Sequence, residues 1–122
     1  MMVAARILVV EDEAFTRATM VEALTEAGFH VEAAGTGQQA LHLMERDGYQ
    51  VLVADLHMPG TPIGTALAKR LHDADPSTQV LAVTTRSDAV AKLRSEGIEA
   101  ATLAVPGDTD RLVAAVRGLL KK

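Results

Sequence analysis

The sequence alternates five times between a short strand-like run and a longer helix-like segment. The runs at 51–54 and 80–83 are apolar at every position, which is typical of strands buried on both faces of a sheet. The run at 29–33 alternates apolar and polar residues, which is typical of an edge strand with one wet face. Repeated β-α units of this kind predict a parallel sheet with helices packed on both of its faces.

The length of 122 residues fits one domain, and we expect a single domain over 1–122. The first helix should bury a face that includes Ala14, Ala18, Val21 and Leu24, and Thr36 with Gln39 predicts a capping box at the start of the second. The predicted strands are residues 6–10, 29–33, 51–54, 80–83 and 101–105; the predicted helices are roughly 14–27, 36–46, 64–73, 88–96 and a last one capped by Asp108 or Thr109.

Composition excludes several classes of partner. There are 12 Lys and Arg residues against 16 Asp and Glu, and aromatic residues make up 2% of the chain, so we expect no nucleic-acid binding by this domain. The longest apolar stretches are far shorter than a membrane span, and the first residues lack the layout of a signal peptide. We therefore expect a cytoplasmic protein with no membrane contact.

Carboxylates follow two of the apolar strands. Glu11 and Asp12 come directly after the first predicted strand, and Asp55 comes directly after the third. In an open parallel sheet, function lies at the carboxyl ends of the strands, at the point where the strand order reverses. If the order is 2-1-3-4-5, these acids meet there, where they predict a pocket for Mg²⁺ and a carboxylate able to act as a nucleophile. Thr84 ends the fourth strand and predicts a hydroxyl near that carboxylate.

These residues carry a resemblance to a known family. The chain resembles the receiver domain of two-component response regulators over essentially its whole length, through residues 7–13 (Ile-Leu-Val-Val-Glu-Asp-Glu), 55–60 (Asp-Leu-His-Met-Pro-Gly) and the Val-Thr pair at 83–84. The order and spacing of these pieces together are specific, although each piece alone is weak. The resemblance implies a flavodoxin-like fold, a five-stranded parallel sheet of order 2-1-3-4-5 flanked by five helices.

The resemblance also implies roles for single residues. Asp55 is expected to accept a phosphoryl group from a histidine kinase or a phosphotransfer protein. Mg²⁺ is expected on Asp12, Asp55 and the backbone carbonyl of His57, with Glu11 helping through water, and Thr84 is expected to be the switch hydroxyl. Beyond self-phosphorylation and autodephosphorylation at Asp55, no conventional enzyme is implied.

Signalling by protein-protein contact is implied as well. The expected partners are the kinase or phosphotransfer protein and a downstream effector or fused output domain. A homodimer through the fourth helix, fifth strand and fifth helix is a further expectation from the family.

The sequence departs from the family at the fifth strand. Receivers usually carry a Lys before a Pro there, whereas this chain has Val105 before Pro106, or Ala104 if the loop is aligned one residue differently. The aromatic switch position falls at Ala101 or Thr102, and neither is aromatic. The Lys and the aromatic residue that usually sense the phosphoryl group and transmit the signal are therefore absent. The acidic half of the site, Glu11, Asp12 and Asp55, is present. Arg86, two residues past Thr84, is a candidate for the missing positive charge.

Two other interpretations remain open from the sequence. A pseudo-receiver would keep the fold as a protein-binding module that does not depend on phosphate, and the missing Lys and aromatic favour it. A dinucleotide-binding α/β domain would use Gly35, Gly37 and Ala40 as its fingerprint, with Asp55 as the ribose-binding acid.

Overall fold

The computed structural model describes residues 4–55, 73–84, 91, 94–95, 97, 99–102 and 108–121, with only the backbone for Asp55, Thr84 and residues 99–102. The helix predicted at 64–73 lies outside these residues except for residue 73, and the helix predicted at 88–96 is described only at 91 and 94–95, which are helical. No helix in the described part of the chain is long and apolar enough to cross a membrane. The strands are β1 (Arg6–Val10), β2 (His30–Ala34), β3 (Val51–Asp55), β4 (Gln79–Thr84) and β5 (Glu99–Thr102); the helices are α1 (Ala14–Glu26), α2 (Gly37–Arg46) and a last helix, Thr109–Leu120.

The five strands form one parallel sheet in the order β2-β1-β3-β4-β5, which confirms the predicted order. Because β2 pairs with β1 alone, it is an edge strand, as its alternating sequence indicates. The reversal of strand order falls between β1 and β3. The fold is therefore the flavodoxin-like arrangement that places function at the carboxyl ends of β1 and β3.

The core lies in two layers, one on each face of the sheet. Alternate residues of a strand point to opposite faces, so Leu8 and Leu52 pack towards α2, while Ile7 and Val53 pack towards α1 and the last helix. The core side chains of the helices are Ala40 and Met44 of α2, Met20 and Leu24 of α1, and Leu112, Val116 and Leu119 of the last helix.

Helix α1 buries only part of the predicted face. Ala14 and Ala18 are exposed, whereas Met20 and Leu24 are buried and Val21 is half-buried. Exposing an alanine costs little, so its position indicates the buried face only weakly; the large side chains decide which face packs. The prediction is confirmed for Leu24 and Val21 and was wrong for the two alanines, because it gave them the same weight as the larger residues.

Helix α2 begins with the residues predicted for a capping box, in a variant form. Thr36 Oγ1 accepts a hydrogen bond from the Gln39 N–H at 3.1 Å, as expected. The Gln39 Oε1 atom accepts from the Gly35 N–H at 2.9 Å, one residue before the cap. The turn between β2 and α2 is therefore closed by its own side chains.

Strand β5 begins two residues earlier than predicted, at Glu99, which pairs with Leu81 of β4. Strand pairing is made by backbone hydrogen bonds, so a strand can begin at a charged residue even where the apolar pattern predicts a later start. The predicted continuation of this strand, 103–105, lies outside the described residues.

Candidate functional site

The strand register brings the predicted acids to one edge of the sheet. Val10, the last residue of β1, pairs with Ala54 of β3. Glu11 and Asp12 therefore leave β1 beside Asp55, the last residue of β3, on strands about 4.8 Å apart. We call this end of the sheet the carboxyl edge.

Glu11 is fixed by its neighbours. Its side chain is 2% exposed, and its N–H donates to the Ala34 carbonyl at 3.0 Å, which continues the pairing of β1 with β2. Its Oε1 atom accepts a hydrogen bond from the Glu13 N–H at 3.0 Å. A buried carboxylate needs such compensation, so the β1–α1 loop is shaped around Glu11, while Asp12 is exposed.

Glu13 has a structural task. It is the N-cap of α1, and its carboxylate accepts from the Phe15 N–H at 2.8 Å and from the Thr16 N–H at 3.0 Å. These backbone hydrogen bonds, the one from Phe15 first, hold the pKa of Glu13 below its usual value. Among the three successive acids of this loop, Glu13 is therefore the one that caps the helix.

Sequence reasoning missed Arg17. From the first turn of α1, its Nη1 atom donates to the Glu11 carbonyl at 2.8 Å and lies 3.3 Å from the Asp12 carbonyl. A helical side chain points back towards the N-terminus of its helix. An arginine one turn into a helix that follows an acidic loop was therefore the signal available in the sequence.

The remaining strand ends complete the edge. Asp55 pairs with Val83 of β4, so Thr84 is the next residue on the neighbouring strand. Thr84 in turn pairs with Thr102 of β5, one of the two positions expected for the missing aromatic. The predicted site residues His57 and Arg86, and the Lys position at 105, lie outside the described residues. Among the side chains the structure describes, which exclude that of Asp55, no three acids or histidines form a metal-binding group.

Comparison with known proteins decides the family. The sequence model of the response regulator receiver domain matches residues 7–117. The chain belongs to this family. Two curated relatives are the transcriptional activator protein IrlR of Burkholderia pseudomallei, 36% identical over 118 residues, and the transcriptional regulatory protein TrcR of Mycobacterium tuberculosis, 33% identical over 120 residues. Each alignment covers 96% of this receiver domain and 51% or 46% of the relative, so the chain spans about half their length.

Solved structures agree with the fold. The chemotaxis protein CheY4 of Vibrio cholerae is 23% identical, with a TM-score of 0.83 over 96% of this receiver domain and 99% of CheY4. The response regulator TrrA of Thermotoga maritima, solved in complex with Mg(2+)-BeF, is 27% identical, with a TM-score of 0.80 over 94% of this domain and 98% of TrrA.

The geometry contradicts the dinucleotide interpretation. A dinucleotide site needs the glycine turn and the ribose-binding acid on neighbouring strands. Here the turn at Gly35 follows β2 while Asp55 ends β3, and β1 lies between the two strands. The Gly35 N–H is also engaged by Gln39. The glycines of this turn thus belong to the architecture of the receiver domain.

Proposed function

We propose that this receiver domain is the phosphoacceptor of a two-component phosphorelay and that Asp55 takes the phosphoryl group. The observation that carries the proposal is the pairing of Val10 with Ala54, because it sets the acids after β1 beside the end of β3. Membership of the receiver family supports the same assignment. The acidic half of the site is complete in sequence.

The chemistry is nucleophilic displacement at phosphorus. A carboxylate oxygen of Asp55 attacks the phosphoryl group carried by a histidine of the donor, and the new O–P bond forms as the N–P bond breaks. The histidine nitrogen leaves with the electron pair of the broken bond. Glu11 and Asp12 add negative charge beside this carboxylate, so the reaction needs a cation nearby.

Mg²⁺ is the cation that these residues fit, because the side chains proposed to hold it, Asp12, Asp55 and Glu11, all offer carboxylate oxygens. Asp12, Asp55 and the backbone carbonyl of His57 would hold it. Glu11 would act through water, which suits a side chain whose Oε1 already accepts from the Glu13 N–H. When bound, the ion supplies positive charge that offsets the acids and the phosphoryl oxygens.

Thr84 is the proposed switch hydroxyl. Its place after Val83, the partner of Asp55, supports a hydroxyl that bonds a phosphoryl oxygen. Arg86 is proposed as a charge partner of the phosphoryl group, because Val105 stands where the family has Lys. An Arg86→Ala variant with an unchanged rate and lifetime of phosphorylation would remove Arg86 from the account.

The output is proposed to be protein-protein contact. The donor is a histidine kinase or a phosphotransfer protein, and the recipient is a downstream effector or fused output domain. Relatives named as a transcriptional activator and a transcriptional regulator are about twice as long as this chain, which supports an output of that kind. Pairing of two copies through the fourth helix, fifth strand and fifth helix remains part of the proposal.

The test is the intact mass of the protein after incubation with Mg²⁺ and acetyl phosphate. We expect a gain of one phosphoryl group that is absent in Asp55→Ala and in the presence of a chelator. Asp47→Ala is the matched control, because it removes an acid near the other end of the sheet and should keep the gain.

A pseudo-receiver is the second candidate function. It is favoured by Val105 at the Lys position and by Thr102 opposite Thr84. No mass gain with acetyl phosphate, and none with a phosphorylated histidine kinase, would establish it in place of the phosphoacceptor.

A further inference from the structure

Arg17 connects three parts of the carboxyl edge. It belongs to α1, and its Nη1 atom reaches back to the carbonyls of Glu11 and Asp12 at 2.8 and 3.3 Å. The same atom would lie 3.1 Å from a Cβ built on Gly35. The half-buried guanidinium therefore lies between the β1–α1 loop and the turn that joins β2 to α2.

The lack of a side chain at Gly35 leaves room for the Arg17 guanidinium. A Cβ there would lie 3.1 Å from Arg17 Nη1, 3.7 Å from its Cζ and 3.6 Å from Gln39 Oε1. The left-handed glycines of the described residues are Gly28 and Gly97, so what Gly35 contributes is space: with a Cβ there, the guanidinium would have to shift by a few tenths of an ångström. Gln39 closes the turn from the other side through the Gly35 N–H.

The main chain that Arg17 holds carries the acids of the site. Two donations from one guanidinium nitrogen fix the direction of consecutive carbonyls, and the Glu11 N–H is fixed separately on Ala34. With both sides of this peptide segment held, the Cα–Cβ bonds of Glu11 and Asp12 leave it in a set direction. Arginine suits this role because its planar fork is pre-organised and always charged.

We propose that Arg17 is a positioning residue of the phosphoacceptor site: its guanidinium, seated in the space left by Gly35, fixes the main chain of Glu11 and Asp12 so that their carboxylates are set for the cation. This inference rests on the proposed function. Arg17 acts through the loop and touches neither the cation nor the phosphoryl group.

The test compares Mg²⁺ affinity, measured by titration calorimetry, in wild type, Arg17→Met, Arg17→Lys and Gly35→Ala, with Arg46→Met as a control for the loss of an exposed helical arginine. Loss of a residue that orients metal ligands weakens binding by about tenfold or more. We expect this in Arg17→Met, a smaller loss in Arg17→Lys, and no change in Arg46→Met. Phosphorylation by acetyl phosphate should recover in Arg17→Met at saturating Mg²⁺.

Gly35→Ala gives an independent arm. It should shift the guanidinium by a few tenths of an ångström and so weaken Mg²⁺ binding less than Arg17→Met does, and it should add nothing to Arg17→Met, where there is no guanidinium to shift. This arm also keeps the inference testable if Arg17→Met does not fold. If Arg17→Met folds and binds Mg²⁺ with wild-type affinity, the inference is overturned and the proposed function stands. If Arg17→Met is unfolded, wild-type affinity in Gly35→Ala has the same meaning. A wild-type protein that binds no Mg²⁺ overturns the proposed function and the inference with it.

Discussion

The two ends of the sheet differ in how their charged side chains are paired. Near the amino-terminal ends of the strands, the Arg6 guanidinium lies 3.2 Å from Glu32 Oε1 and 3.8 Å from Asp47 Oδ1. It also sits over the Tyr49 ring, 5.2 Å from its centroid, and the Tyr49 hydroxyl donates to Glu32. We call this group of four residues the amino-edge cluster; within it, one guanidinium lies between two carboxylates of the chain itself.

At the carboxyl edge, acidic residues predominate. Glu11, Asp12 and Glu13 follow β1 in succession, and Asp55 ends the neighbouring strand. Arg17, a cationic side chain among those described at this edge, donates to main-chain carbonyls. The contrast supports the proposal that the carboxyl edge receives a cation from solution, and it predicts that the amino-edge cluster braces the fold.

The largest expected effect separates two adjacent acids. Asp12→Asn and Glu13→Gln each remove one negative charge, but only Asp12 is a proposed Mg²⁺ ligand, while Glu13 caps α1. We expect Asp12→Asn to weaken Mg²⁺ binding by at least the roughly tenfold that follows loss of an outer-shell partner, and Glu13→Gln to leave it unchanged. Titration calorimetry measures both. Equal losses would mean that general charge governs binding, and the division of roles would be wrong.

The amino-edge cluster should respond through stability. Tyr49→Phe removes the hydroxyl that donates to Glu32, and we expect the free energy of unfolding to fall by about 1 kcal/mol. Metal-free Asp12→Asn should instead be at least as stable as wild type, because it relieves repulsion among the acids. Urea denaturation of both variants makes the comparison, and a Tyr49→Phe protein as stable as wild type would contradict the bracing role.

A smaller effect is expected at alkaline pH. Burial first, and then the hydrogen bond to Glu32, raise the pKa of Tyr49 well above 10.0. A raised folded-state pKa favours the protonated phenol, so its contribution to stability is complete below the unfolded pKa and is lost as the pH rises towards the folded one. Between about pH 9 and pH 11, wild type should lose more stability than Tyr49→Phe. Parallel losses in urea midpoints would show that Tyr49 does not titrate in this way.

The smallest effect concerns the cap of α1. Hydrogen bonds from Phe15 and then Thr16 lower the pKa of Glu13 from 4.5. A lowered folded-state pKa gives stability that is present above the unfolded pKa and is lost as the pH falls through the folded one. Glu13→Gln should therefore melt below wild type near neutral pH, and the difference should fade under acid conditions. A difference in melting temperature that is independent of pH would contradict charged capping.

Sequence reasoning reached the sheet and its acids because both depend on short-range patterns. A run that is apolar at every position, such as 51–54, is typical of a strand buried on both faces. Asp55 directly follows this run, so its place at the carboxyl edge follows from the order of residues along the chain. Two of the four positions predicted for the buried face of α1, Ala14 and Ala18, are exposed, because alanines constrain packing weakly.

Contacts between distant segments were out of reach for the sequence. The link of Arg17 to Gly35 depends on how two loops approach each other, and the link of Arg6 to Glu32 joins residues 26 positions apart. Neither contact has a spacing rule. Both became visible only once the β1–β2 register was known.

The central claim is that the carboxyl edge, and not the amino-edge cluster, receives the cation. The most direct test is a Mg²⁺ titration of isotope-labelled protein, following the backbone amide resonances. The account predicts shifts concentrated at Glu11, Asp12 and Asp55, with Arg6, His30 and Gln50 unmoved. Shifts centred on the amino end of the sheet, or no saturable shift at the acids, would contradict it.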